Sequence, residues 1–174
     1  MALDLIRLRP APQLAAQYSI EKSFVFFENS TTRSVNLYWM DFNGFQQLFQ
    51  TLKPGAGIKI NTYVKHPWIF RDRVTGERMH VKNKDVFWPQ VSRIRNAVNA
   101  SWMSYRKLVA IHLPIRSLRS KCLWAYAEQV FENHKTTLDN LIIPQTLKAD
   151  LKHILDMIEK HQKLTSASYI TQNG

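Results

Sequence analysis

The sequence predicts an α+β multi-domain protein: an antiparallel β-sandwich of about seven strands over residues 1–113, then a small α-helical domain over residues 114–174. Two observations predict this division. Before residue 113, short runs rich in β-branched and aromatic residues alternate with turn residues, which is typical of small sandwiches. After Pro114, apolar residues recur at three- and four-residue steps, and glycine is absent until Gly174.

The strands of the first part are bounded by recognisable turn residues. We expect strands over residues 23–28, 35–41, 45–51, 58–64, 68–72, 78–82, 85–88 and 107–112. Asn43-Gly44 predicts a type I′ hairpin turn, which needs positive φ at both central residues, and Pro54-Gly55 predicts a second turn. Residues 91–106 are basic and lack a clear period, so we expect a long loop with some helix there.

The second part predicts two helices. Ser117 is a suitable N-cap for a helix that runs to about His134, and Pro144 lies where a second helix begins. An apolar stripe follows at helical spacing, formed by Leu147, Leu151, Ile154, Leu155 and Ile158. The polar tail after Leu164 is expected to fray. Because so small a helical segment cannot bury both apolar faces alone, we expect it to pack on the sandwich or, as we favour, on a partner chain.

Composition excludes several classes of protein. The chain has 24 Lys and Arg against 13 Asp and Glu, a net charge of +11, and most of the excess lies before residue 114. Such a surface attracts an anionic partner, whether nucleic acid, acidic lipid or acidic peptide. No apolar run is long enough for a membrane helix or a secretory signal. The single cysteine, Cys122, permits no internal disulfide and favours a reducing, intracellular compartment.

Catalytic motifs are weak. The histidines lack metal-ligand spacing, no glycine-rich phosphate loop is present, and Cys122 lies in an apolar helical pattern. We therefore expect neither an enzyme nor a metal or cofactor.

Two stretches resemble a known family. Trp39–Asp72 (WMDFNGFQQLFQTLKPGAGIKINTYVKHPWIFRD) and His80–Gln90 (HVKNKDVFWPQ) resemble the β domain of the von Hippel–Lindau tumour-suppressor family. Leu113–Leu123 (LPIRSLRSKCL) resembles the elongin-C-binding box of that family. Ser117, Leu118 and Cys122 fit the box, whereas Tyr126 stands where the box has an aliphatic residue.

The resemblance implies a function. The implied function is that of a substrate receptor in an elongin B/C–cullin–RING ubiquitin ligase. Such a receptor acts in the cytoplasm and the nucleus and performs no bond chemistry itself. Its β domain would bind a peptide of hypoxia-inducible factor α that carries 4-hydroxyproline, and its helical domain would dock on elongin C. It implies a peptide site at Trp39, Phe49, Asn61, Thr62, Tyr63, His66 and Trp68. It implies elongin C contacts at Ser117, Leu118, Cys122, Leu123, Ala125 and Tyr126, and weaker cullin contacts at Ile143, Pro144 and Leu147. The family has Tyr, His and Ser where this chain has Phe49, Asn61 and Thr62.

The residue types of this site suit hydroxyproline. Thr62, His66 and Trp68 are separated by even numbers of residues, so on an extended strand their side chains lie on the same face. Pro67 restricts His66 to extended geometry. A hydroxyl and an imidazole can pair with the substrate hydroxyl, and the indole can stack on its ring. Tyr63 is expected on the opposite face unless the strand twists or bulges.

Simpler interpretations stay open. His66 and the aromatic residues around it are equally typical of a sandwich core, and Leu118 and Cys122 of an ordinary buried helix face. Ile143-Pro144 is typical of a loop before a helix. A nucleic-acid-binding module is the alternative function, because basic residues lie among aromatic ones. These basic residues are Lys59, Lys65, Arg71, Arg73, Arg78, Lys82, Lys84, Arg93 and Arg95.

Overall fold

The computed structural model describes residues 14–133, Leu138 and residues 141–172. Within these residues the elements are β1 (Lys22–Asn29), β2 (Val35–Met40), β3 (Gln46–Leu52), β4 (Gly57–Tyr63), β5 (Trp68–Asp72), β6 (Arg78–Met79), β7 (Val86–Phe87), β8 (Arg93–Arg95), β9 (Trp102–Ser104), β10 (Lys107–Ile111), α1 (Leu118–Asn133) and α2 (Gln145–Gln172). The predicted class, a β-sandwich followed by a helical part, is confirmed.

Two sheets form the sandwich. The first has the strand order β10-β1-β4, and the second has the order β3-β2-β5-β6, with β7 also paired to β5. All of these pairings are antiparallel except β1 with β10, which run parallel. All strands of the second sheet lie between β1 and β10 in the chain. β10 then joins the first sheet and runs in the same direction as β1. The purely antiparallel sandwich that the sequence predicted therefore has one parallel pair.

The core lies between the two sheets and centres on Phe27, which is fully buried. Its ring contacts Trp68 and Phe70 of β5 and Phe87 of β7, with centroids 5.4, 5.1 and 5.5 Å away. Aromatic pairs at such tilted or edge-on angles stabilise a core by about 0.5–1.5 kcal/mol beyond the area that they bury. β2 is buried on both faces because other residues also cover its outer side, where Leu14 packs on Tyr38 and Met40.

Two turns can be compared with their predictions. At Pro54-Gly55 the expected turn is present: Gly55 has φ of 71° and the Ala56 N–H donates to the Lys53 carbonyl oxygen at 3.0 Å. At Asn43-Gly44 only Gly44 has positive φ, so the type I′ prediction is wrong. The Asp41 carboxylate accepts the N–H groups of Asn43 and Phe45 at 2.9 and 2.8 Å, which closes this turn without a left-handed Asn43.

Residues 91–106 contain no helix, contrary to the prediction. β8 and β9 pair as an antiparallel hairpin, with Ile94 opposite Met103 and Arg95 opposite Trp102. All six strand residues are exposed. The alternation of polar and apolar residues that marks a strand was too short here to be recognised.

The helices begin where the sequence predicts. The Ser117 hydroxyl accepts the N–H of Ser120 at 3.2 Å, as an N-cap does, and the Pro144 carbonyl accepts the N–H groups of Leu147 and Lys148. The backbone of α2 stays helical to Gln172, so the expected fraying after Leu164 is not observed. His134, where the sequence predicts the end of the first helix, lies outside the described residues. Neither described helix has an apolar stretch long enough to cross a membrane.

The helical part packs against the sandwich. Arg33, in the β1–β2 connection, forms a two-pronged ion pair with Glu128 of α1, at 2.7 and 2.9 Å. Arg116 pairs with Glu77 and also lies over the Trp124 ring, 4.6 Å from its centroid. The sequence favours a partner chain that covers the apolar helix faces. In the structure, α1 and α2 bury part of those faces against each other, around Trp124, Leu151 and Ile158, and the ion pairs join them to the sandwich.

Candidate functional site

Several strands end at one edge of the sandwich and bring inward-facing side chains together. Trp39 of β2 is the register partner of Trp68 of β5, and Thr62 lies near the end of β4 in the other sheet. The Trp68 indole N–H donates to the Thr62 hydroxyl oxygen at 3.1 Å, and both side chains are buried. This bond fixes the hydroxyl but leaves its hydrogen available for a further acceptor.

His66 reaches the same place through a turn. The His66 N–H donates to the Tyr63 carbonyl oxygen at 3.2 Å, and Lys65 has φ of 66°. The continuous extended run predicted from Thr62 to Trp68 is therefore wrong, since the chain must turn to leave the first sheet for the second. The turn brings His66 back onto Tyr63, with ring centroids 5.2 Å apart, so Tyr63 joins the group despite its opposite parity.

The imidazole of His66 is held on several sides. It stacks on Trp39 at 5.9 Å with an interplanar angle of 12°, and Phe42 meets it edge-on at 5.5 Å. Its Nε2 atom lies 3.0 Å from the Ser19 hydroxyl oxygen. Burial lowers the pKa of His66 from its ordinary value of 6.5, and a hydrogen bond with the Gln17 backbone opposes this effect. The ring is therefore mainly neutral at pH 7, with one nitrogen able to donate and the other to accept.

A β-bulge directs Phe49 toward the site. Leu37 and Tyr38 are consecutive on β2, but their register partners on β3 are Gln50 and Leu48, which leaves Phe49 as the extra residue. Bulges change the direction of a side chain at the cost of one pairing position. The half-exposed Phe49 ring meets Trp68 edge-on at 5.4 Å and forms the outer wall of the group.

Asn61 does not join this group. Its side chain accepts a hydrogen bond from the Arg106 guanidinium at 2.7 Å, and the same guanidinium lies over the Phe24 ring. Because Ile60 and Thr62 face inward, Asn61 lies on the outer face of the first sheet. The remaining six predicted residues form a connected cluster, which we call the aromatic site: Trp39, Phe49, Thr62, Tyr63, His66 and Trp68.

The aromatic site lies beside an unpaired strand edge. β4 pairs with β1 on one side and, among the described residues, with no strand on the other. Such an edge presents main-chain N–H and carbonyl groups that an extended peptide can pair with.

α1 presents a second candidate surface. Leu118, Cys122 and Ala125 lie on one side of the helix and are exposed, Leu118 to 77%. An ordinary buried face is therefore excluded for Leu118 and Cys122. The described residues include no cluster of three or more potential metal ligands, around Cys122 or elsewhere.

Four further predicted docking residues line an apolar groove of about 450 Å³ between α1 and the start of α2. Its lining includes Cys122, Leu123, Tyr126, Ile143 and Leu147. Leu123 and Tyr126 are half-buried and also pack on the helical core, while Pro144 is exposed just before α2. Cys122 thus connects the exposed face of α1 to the groove.

Comparison with known proteins identifies the family. A sequence model of the VHL beta domain matches residues 14–95. Protein Vhl of Drosophila melanogaster is 35% identical to this chain over 146 residues, which are 81% of this chain and 82% of the relative. The chain belongs to the VHL family. The resemblance seen in the sequence is confirmed, and the aromatic site lies entirely within the stretch that matches the VHL beta domain.

Three residues of this VHL-family site escaped the sequence analysis. Ser19 and Gln17 hold His66 from a segment that precedes β1, and Phe42 covers the imidazole from the β2–β3 turn. No sequence signal connects Ser19 to His66, since 47 positions separate them. Phe42 had one usable signal, because it adjoins a predicted turn at the end of the strand that carries Trp39.

Proposed function

We propose that this VHL-family protein is the substrate receptor of an elongin B/C–cullin–RING ubiquitin ligase, and that it binds a hydroxylated peptide of hypoxia-inducible factor α. The observation that carries the proposal is the aromatic site at the free edge of β4. It combines a buried hydroxyl, a mainly neutral imidazole and a wall of aromatic rings beside unpaired backbone.

The peptide would bind in two ways at once. Its backbone would pair with the open edge of β4, which supplies affinity with little dependence on sequence. The hydroxyproline ring would lie against the aromatic wall, with its hydroxyl between Thr62 and His66. A proline peptide would leave these polar groups without a partner, and sites matched to a hydroxyl reject the analogue lacking it by up to about 10⁴–10⁵-fold.

The exposed face of α1 would dock on elongin C. Leu118, Cys122 and Ala125 form an apolar surface that the protein's own sandwich leaves uncovered. Leu118 would be the anchor, because large side chains inserted into a partner's pocket carry most of the binding energy of an interface. The neighbouring groove, with Ile143 and Leu147, would face the cullin scaffold. Elongin B would join through elongin C, and the complex would act in the cytoplasm and the nucleus.

The receptor would perform no chemistry of its own. Its contribution would be proximity: the substrate, held at one end of the sandwich, is brought close to a ubiquitin-conjugating enzyme recruited through the helical part.

The nucleic-acid alternative has weaker support from the geometry. The basic residues that suggested it lie on different surfaces: Lys59 projects from the first sheet, whereas Arg71 is partly buried beneath α2 on the second. Arg93 is paired with Glu21 at 3.0 Å. A nucleic-acid backbone needs a continuous basic stripe, and binding that falls steeply with salt would revive this alternative.

Co-expression with elongins B and C tests the proposed docking of α1 on elongin C. We expect the parent to co-elute with both elongins on size-exclusion chromatography and Leu118→Ala to lose co-elution. Leu108→Ala is the matched control, since Leu108 is an exposed leucine of β10 in the sandwich. Failure of the parent to associate with the elongins, or equal loss in both variants, would refute the assignment.

A further inference from the structure

A second cavity lies on the other side of the five-stranded sheet from the sandwich core. It has a volume of about 620 Å³, opens to solvent, and lies between the outward-facing residues of β2 and β5, the β2–β3 turn, and the second half of α2. None of the six residues of the aromatic site lines it. It is a separate feature of the molecule, and neither peptide binding nor elongin docking uses it.

The lining of this cavity is basic. It contains two cations, Arg71 from β5 and Lys160 from α2, beside the neutral imidazole of His161, and among the described lining residues none is acidic. Within the described part of the chain, Lys160 forms no ion pair with a carboxylate, whereas Lys163, three residues further along α2, pairs with Glu159. The cavity therefore has an excess of positive charge that the protein does not neutralise at this place.

Arg71 also has no ion pair with a carboxylate in the described part of the chain. Its Nη1 donates to the Gly76 carbonyl oxygen at 2.9 Å and its Nε to the Gln46 side-chain oxygen at 3.1 Å, and both acceptors are neutral. Its register partner on β6 is another arginine, Arg78. Like charges directly opposite on neighbouring strands destabilise a sheet. Burial, followed by the charge of Arg78, lowers the pKa of Arg71 to about 10.

The surroundings of the cavity are fixed. His161 Nε2 lies 3.2 Å from the Arg73 carbonyl oxygen, and the His161 ring packs so closely on Gly76 that no larger residue fits there without movement. These contacts hold α2 against the sheet and keep the adjacent Lys160 at the cavity. The Tyr38 hydroxyl accepts from the Asn36 side chain at 3.2 Å, so its own hydrogen remains available to an acceptor.

We infer that this cavity binds a small organic anion, a phosphate monoester or carboxylate with an apolar body. The anionic oxygens lie between the Arg71 guanidinium and the Lys160 ammonium, where they supply the charge that the lining lacks. The apolar body packs against Phe45, Met157 and Leu164, which also line the cavity. Arginine with a second cation is a common arrangement for anionic oxygens.

Calorimetric titration of the full chain with phenyl phosphate tests the inference. Inorganic phosphate and phenol, which carry the anionic group and the apolar body separately, are titrated for comparison. We expect saturable one-to-one binding of phenyl phosphate that is tighter than that of inorganic phosphate or phenol. Lys160→Gln should weaken it about tenfold, because it removes one charge-assisted contact. Lys163→Gln is the matched control: it removes the same charge from the same helix, at an exposed residue outside the cavity lining.

Either of two results would overturn the inference: no saturable binding of phenyl phosphate, or equal weakening by the two lysine variants, which indicates a general attraction to a basic surface. Hydroxyproline-peptide affinity, measured on the same variants, should not change. The outcome is therefore independent of the proposed receptor function.

Discussion

Thr62 has two roles at the scale of a single residue. Its hydroxyl oxygen is the acceptor for the buried Trp68 indole, and its hydrogen is the donor that we assign to the substrate. The residue therefore supports the fold as well as the site. Serine, the residue that the family has at this position, would preserve both roles.

Removal of this hydroxyl should destabilise the protein. Thr62→Val keeps the shape of the side chain but leaves the Trp68 N–H buried without an acceptor, which costs about 1–3 kcal/mol. Thr62→Ser should cost less, since the acceptor remains. Urea unfolding followed by tryptophan fluorescence gives both free energies. Equal stability of the valine variant and the parent would show that the indole bond is not formed in solution.

The aromatic site depends at the scale of elements on two local irregularities, the bulge at Phe49 and the turn at Lys65. The sequence predicts most strands, because alternation and turn residues are local signals, and it predicts both helix starts from Ser117 and Pro144. It does not reveal that Lys65 adopts a left-handed conformation, since lysine has no preference for one. Six of the seven named residues therefore lie together and Asn61 does not, while the argument that Thr62, His66 and Trp68 share one face of an extended strand is wrong.

Phe49→Tyr tests the position of the bulge. The family has tyrosine here, and a hydroxyl on the half-exposed ring would add one hydrogen bond to the peptide, worth about 0.5–1.5 kcal/mol. We expect tighter binding of the hydroxylated peptide, measured by fluorescence anisotropy. Phe45→Tyr introduces the same hydroxyl on another exposed phenylalanine, outside the aromatic site, and should leave affinity unchanged. Unchanged or weaker binding by the Phe49 variant would contradict a peptide-facing ring.

At the scale of the whole molecule, the sandwich and the helices are joined by ion pairs around Arg33. This guanidinium pairs with Glu128 and also lies 3.8 Å from Asp72 and 3.7 Å from Glu77, whose side chains are nearly inaccessible to water. No local sequence pattern indicates this junction, because the participating residues come from three separate segments of the chain: the β1–β2 connection, the end of β5 with the turn that follows it, and α1.

Arg33→Met should be strongly destabilising. It leaves the buried Asp72 carboxylate without its cation, whereas Glu77 keeps its ion pair with Arg116, and breaking a buried ion pair in this way costs about 3–5 kcal/mol. Arg93→Met removes an exposed pair with Glu21 and should cost less than about 1 kcal/mol. The comparison is made by measuring the thermal melting temperatures of the two variants and of the parent. Similar melting temperatures for both would show that the junction contributes little.

Acid should also destabilise the whole molecule. Burial lowers the pKa of His66, His80 and His161 below 6.5 in the folded state. The unfolded chain then binds protons at higher pH than the folded one, so this contribution to stability is complete above about pH 6.5 and is lost as the pH falls below it. Thermal melts at about pH 7.5 and pH 5.5 should give a lower Tm at the acidic value. An unchanged or higher Tm there would contradict neutral, buried imidazoles.

The most direct test of the proposed receptor is a comparison of two peptides. Fluorescence anisotropy would measure the affinity of the full chain for a hypoxia-inducible factor α peptide with hydroxyproline and for the same peptide with proline. The buried hydroxyl of Thr62 and the imidazole of His66 predict at least about a thousandfold preference for the hydroxylated form, because the proline peptide leaves both groups unpaired. Equal affinities for the two peptides, in a protein that remains folded, would contradict hydroxyproline recognition at this site.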